Sequence, residues 1–126
     1  MLGSSPVHPI LLSTDLGPAR AFYHDKLGLE ILEEGEAGIV FRCGGGTKLV
    51  VAASSTGTSD SQTQLRWEVP DLAAELADLR SRGVTIEEYD YPDLKTVDGV
   101  ADMGFGWVAW IVDPGRNVLA VSQLKG

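Results

Sequence analysis

Short apolar runs alternate with small and polar punctuation along the whole chain. Residues 8–14 pattern as a strand ending at Asp15, after which Ala19, Phe22, Tyr23 and Leu27 recur at the spacing of one helix face. Asp15 suits an N-cap, Pro18 the first helical turn and Gly28 the stop. Strand patterns follow at residues 29–33, 38–43 and 48–53, with Gly44, Gly45 and Gly46 as the turn between the last two.

Residues 54–61 are almost entirely Ser, Thr and Gly, a polar connector with little to bury. The same grammar then begins again: strand 64–69, cap Asp71, helix stripe Leu72, Leu76 and Leu79, stop Gly83, strand 84–89. Asp15-Leu16 and Asp71-Leu72 lie 56 positions apart, and Gly28 and Gly83 lie 55 apart, which two copies of one βαβββ unit explain. The second copy closes with strand 106–112, the turn Asp113-Pro114-Gly115-Arg116 and strand 117–122, a hairpin by its turn chemistry.

The expected fold is α+β: two βαβββ modules forming eight strands and two main helices around an open cleft. A helix covers only one face of each small sheet and leaves the other free. One domain spans 1–126, with module 1 at about 7–53, a linker at 54–62 and module 2 at about 63–123. A turn of four residues, 113–116, puts Trp107 on the face of Ala120, toward the cleft, and Trp110 under a helix.

Composition narrows the field. A chain of 126 residues with 44% hydrophobic and 22% charged residues is an ordinary globular domain. No apolar run is long enough to cross a bilayer and no charged leader opens the chain, so a soluble cytoplasmic protein with no membrane partner is expected. A net charge of -8 disfavours nucleic acid, whose phosphates need clustered Lys and Arg. Cys43 is the single cysteine, expected as a structural thiol.

The segments His8-Pro-Ile-Leu-Leu-Ser-Thr-Asp-Leu, Phe22-Tyr-His-Asp-Lys-Leu-Gly-Leu and Asp113-Pro-Gly-Arg-Asn resemble the signature stretches of the vicinal-oxygen-chelate superfamily. That superfamily comprises glyoxalases, bleomycin-resistance proteins and extradiol dioxygenases, and the likeness runs from about residue 7 to 123. Metal-using relatives hold a divalent ion with four ligands, from the first and last strands of each unit. His8 and Gln64, each seven residues before its Asp-Leu pair, fall at two of those places. The other two fail: Ala120 stands where a Glu is usual, and residues 48–53 contain no His, Glu, Asp or Gln. Two ligands out of four hold a divalent ion poorly, so neither metal nor any other cofactor is expected.

What the resemblance then implies is a cleft for a small organic ligand. His8 becomes a ligand-contacting donor or a strand-end structural residue. Ile10 supplies an apolar floor, Gln64, Arg66 and Glu68 the polar groups, and Trp107 a wall for a planar ligand. The acidic loop, residues 91–102, is expected at the cleft rim, with Asp98 and Asp102 as contacts. The favoured function is sequestration of an aromatic or cationic metabolite or antibiotic by a homodimer. The alternative is a glyoxalase-like lyase, isomerase or dioxygenase acting in the same cleft; no catalytic residue is assigned, and metal-dependent activity is disfavoured by the ligand count.

Overall fold

The computed structural model describes residues 1–59 and 61–126; Asp60, within the expected linker, lies outside the described residues. The chain forms two compact units, Met1–Asp60 and Ser61–Gly126. The first contains β1 (Ile10–Ser13), α1 (Leu16–Arg20) running on into a π-helical turn (Ala21–Lys26), β2 (Glu30–Gly35), β3 (Gly38–Arg42) and β4 (Lys48–Ala53). Its sheet has the order β1-β4-β3-β2, with β1 and β4 parallel and the other pairs antiparallel. Asp15 caps α1 by accepting from the Gly17 N–H at 3.1 Å. Ala19, Phe22 and Tyr23 are buried, and the Tyr23 ring lies 5.5 Å from that of Phe41. Helix and sheet thus close one core over Leu11, Ile39, Phe41, Leu49 and Val51.

The second unit repeats the plan with β5 (Thr63–Glu68), α2 (Leu72–Ser81), β8 (Ala101–Asp102), β9 (Gly106–Val112) and β10 (Val118–Leu124), in the order β5-β10-β9-β8. A separate hairpin joins β6 (Asp90–Tyr91) to β7 (Leu94–Lys95). Asp71 caps α2 through the Ala74 N–H, and Leu72, Leu76 and Leu79 are buried as the stripe requires. The fold is therefore mixed α+β, with two helices and two four-stranded sheets.

Two expectations are corrected. Residues 84–89 are not a strand; the short β8 takes the edge position instead. Among the described residues only the Glu87 N–H of this segment bonds to β9, at the Trp110 carbonyl, and the Tyr89 backbone is taken up by the loop that follows. The Tyr89 N–H donates to Thr96 Oγ1, while Glu88 accepts from both the Thr96 hydroxyl and the Gly99 N–H. Side chains of the loop compete with the sheet for these groups and win.

The other correction concerns the tryptophans. Val112 pairs with Val118, and the Asp113 N–H donates to the Asn117 carbonyl, so the hairpin closes over three residues with Arg116 at φ 74. One residue fewer in the loop reverses strand parity. Trp110, not Trp107, pairs with Ala120, and Trp107 stands on the opposite face across from Gln123. Asp113 enforces this closure by accepting from the backbone N–H and the side-chain amide of Asn117, at 2.7 and 2.9 Å.

Candidate functional site

The side of the first sheet away from α1 is open, and cross-strand register divides it into three rows. Lys48, Arg42 and Glu30 form a polar row; Ile10, Val50, Val40 and Glu33 an apolar row ending in a carboxylate; Leu12, Ala52, Gly38 and Gly35 a row of mainly small residues. Ile10 is 64% exposed and Leu12 39%, although both are large and apolar. The apolar residues on this side of the sheet are thus left partly open to solvent.

His8 lies at the polar end of this face, half-buried, and its Nδ1 accepts from the Lys48 N–H at 2.9 Å. In the neutral imidazole that leaves Nε2 carrying the proton, a donor with no lone pair to offer an ion. Gln64 makes the matching contact in the second unit, its Oε1 accepting from the Val118 N–H at 3.1 Å beside a register shift in β10. Lys48 and Val118 are the first residues of β4 and β10, the last strand of each repeat. The two residues at the expected metal-ligand positions thus latch the same amide in both copies. Both donors are engaged within their own sheets, and among the described residues no three His, Cys, Asp or Glu side chains converge.

The corresponding face of the second sheet is covered over β8, β9 and β10. Ala101, Val108, Trp110, Val118 and Ala120 form a buried cluster beneath Tyr89 and Leu94. Trp110 meets Tyr89 edge to face at 5.6 Å, and its indole N–H donates to Thr63 Oγ1. Burial raises the Tyr89 phenol above its ordinary range, reinforced by the Glu87 carboxylate. Beside this cluster Arg66, in register with Ala120, pairs with Glu68 at 3.1 Å and stacks 5.3 Å from the centroid of Phe105. Both charges remain substantially exposed.

Trp107 sits under the Lys125 ammonium, 5.2 Å from its ring centroid, and the same ammonium pairs with Asp102 at 2.7 Å. That bond, joined by one from the Gly104 N–H, holds the Asp102 carboxyl below its ordinary range. Trp107 and Asp102 line an open groove of about 590 Å³ with Asp93, Leu94 and Lys95. Asp98 occupies a turn at φ 53, its carbonyl accepting from Arg80 Nη2, next to the Val97–Val100 bridge. His8 and Ile10 belong to the first unit's open face, Arg66 and Glu68 to the second unit's sheet, and Trp107 and Asp102 to its edge groove.

Glu33 is the residue that sequence reasoning missed. Strand alternation from Ile31 assigns it to the helix side, but the register shifts between Ile31 and Glu33 and sets Glu33 opposite Val40. A run of charged residues, Glu33-Glu34, late in a strand is the one signal in the sequence that such an irregularity was present.

The sequence matches a family model over residues 5–119, that of the glyoxalase/bleomycin resistance protein/dioxygenase superfamily. Among solved structures, an antibiotic binding protein from Streptomyces sp. CB03234, TnmS3, is 24% identical, with a TM-score of 0.74 over 99% of both chains. A bleomycin-binding protein complexed with bleomycin is 22% identical, with a TM-score of 0.74 over 97% of this chain and 100% of its own. A glyoxalase/bleomycin resistance protein from Streptomyces sp. CB03234 is 26% identical, with a TM-score of 0.67 over 94% of this chain and 100% of its own. Among curated protein sequences no relative matches the chain.

Proposed function

Because the chain belongs to the glyoxalase, bleomycin-resistance protein and dioxygenase superfamily, we propose that it sequesters an aromatic or cationic small molecule, a metabolite or an antibiotic, without metal and without transforming it. The observation that carries this reading is the uncovered apolar face of the first sheet, with Ile10 and Leu12 exposed beside a fixed His8. Apolar area with a few placed polar groups is what small-molecule sites are built from. His8 offers an Nε2 donor there rather than a metal ligand or a free base. Relatives of the same fold include one solved as a bleomycin complex and one described as antibiotic-binding. In this reading the two units act as one domain, and the working form is a cytoplasmic homodimer, which covers exposed sheet edges.

A thermal-shift screen tests the proposal. The panel is bleomycin, planar cationic antibiotics, glutathione adducts, and Zn, Ni, Fe and Mn salts. An organic ligand at a hundredfold excess over its Kd stabilises the folded state by about 2.7 kcal/mol and raises Tm. The expected result is a rise with one of the organic cations and none with the metals. One tightly held metal ion per chain, with turnover of a glutathione adduct or a catechol, overturns it in favour of a lyase or dioxygenase.

A further inference from the structure

We infer that Glu33 is a charge anchor that selects an organic cation on the open face of the first sheet, a site that rests on the binding reading above. The acids of β2 differ in one respect. Glu30 pairs with Arg42 at 2.8 Å and Glu34 with Arg20 at 2.9 Å. Glu33, between them, has no partner among the described residues.

Its position comes from the bulge. Without the register shift after Ile31, Glu33 points toward the helix side; with it, the carboxylate terminates the row Ile10, Val50, Val40 on the open side. Bulges re-aim single side chains in this way, at the cost of a ladder interruption.

Beside the carboxylate lies a notch, a recess of about 340 Å³ lined by Glu33, Glu34, Gly35, Ala37, Gly38, Val40 and Val50, in which Glu34 is already paired with Arg20. It exists because the adjacent row carries almost no side-chain bulk at Gly35, Gly38 and Ala52. Gly38 is not free to enlarge, since a Cβ there would lie 2.5 Å from the Val51 carbonyl oxygen. Sheet pairing therefore keeps the recess empty.

A notch with apolar walls and one unpaired carboxylate at its edge complements a compact cation on an apolar body: a quaternary or tertiary ammonium attached to a ring or short chain. The walls take the body, Glu33 takes the charge, and the polar row from Lys48 to Glu30 bounds the far side. An anion of the same shape meets Glu33 as a like charge. A neutral molecule gains only the walls.

The test uses two molecules of the same shape, benzyltrimethylammonium and its uncharged isostere neopentylbenzene, titrated into ¹⁵N-labelled wild-type protein and the Glu33→Gln variant. Bleomycin is titrated in parallel. Glu33 is exposed, so the variant keeps the fold, which its spectrum verifies. Expected is binding of the cation with amide shifts at Gly35, Gly38 and Val40, weakened at least threefold in E33Q, and binding of the isostere equal in both proteins. Equal cation affinity in both proteins overturns the anchor while leaving sequestration standing. So does bleomycin binding with no response to benzyltrimethylammonium. Binding of none of the three removes both readings. Shifts at Gly35 and Gly38 that follow protein concentration rather than any probe put a second copy of the chain on this face and overturn the anchor.

Discussion

The two sheets share strand order and helix placement but differ in what lies on the side away from the helix. In the first unit Ile10, Leu12, Val40 and Val50 are left uncovered to various degrees. In the second the middle of the equivalent surface is sealed: Trp110 is 8% exposed and Ala120 2%, roofed by Tyr89 and Leu94. The roof is the extra chain between α2 and β9, which the first unit lacks. One repeat packs its free face into its own core, and the other leaves that face uncovered.

Cutting into each surface sharpens the contrast. The largest effect is expected from Trp110→Ala, which removes a buried ring, its edge contact with Tyr89 and its bond to Thr63; a loss of roughly 3–5 kcal/mol in urea unfolding follows. Ile10→Ser on the exposed counterpart should change stability by no more than about 0.5 kcal/mol. A similar penalty for both would abolish the distinction between a sealed and an open face.

Next comes the hairpin that decides which tryptophan is roofed. Asp113→Ala strands the buried Asn117 donors, and unfolding free energy should fall by about 1–3 kcal/mol. A smaller loss, about 0.5–1.5 kcal/mol, is expected for His8→Ala and for Gln64→Ala, each freeing one strand-initial amide. Exchanging the acceptors, His8→Gln and Gln64→His, should restore most of it. If the alanine variants are as stable as wild type, the latch is decorative in both repeats.

The gentlest probe is pH. Asp102 is held below the ordinary carboxylate value of 3.8 by Lys125, so it stays ionised in the folded state as the unfolded chain protonates. Its stabilisation is full above that value and is lost only as pH falls through the lower, folded-state value. The Trp107 indole N–H resonance should hold constant down to the ordinary carboxylate range and move below it, with no such step in Asp102→Asn. A step at higher pH would contradict the clamp.

The repeat was legible in the sequence because its marks are local: an Asp that caps, a leucine stripe, a glycine that ends the helix. The burial of Ala19, Phe22, Leu72 and Leu76 follows from periodicity alone. What the sequence hid depended on single residues of register. Whether Trp107 or Trp110 faced Ala120 turned on one residue of hairpin length, set by the grip of Asp113 on Asn117. Glu33 was concealed by a one-residue irregularity in β2, and the expected strand 84–89 gives way at Glu88 and Tyr89 to contacts with Thr96 and Gly99 that cross seven or more positions of chain. The expected site residues were named from their spacing in one strand each, and spacing carries no information on which partners claim them first.

In each unit the strand made last, β4 or β10, is an inner strand joined to the one made first. During synthesis neither sheet is able to close until its final segment leaves the ribosome, so β1 and later β5 wait with bare edges. The half that leaves its apolar face uncovered is completed while the other is still being translated. Deleting Val118 to Leu124 takes out the middle of a sheet rather than its margin.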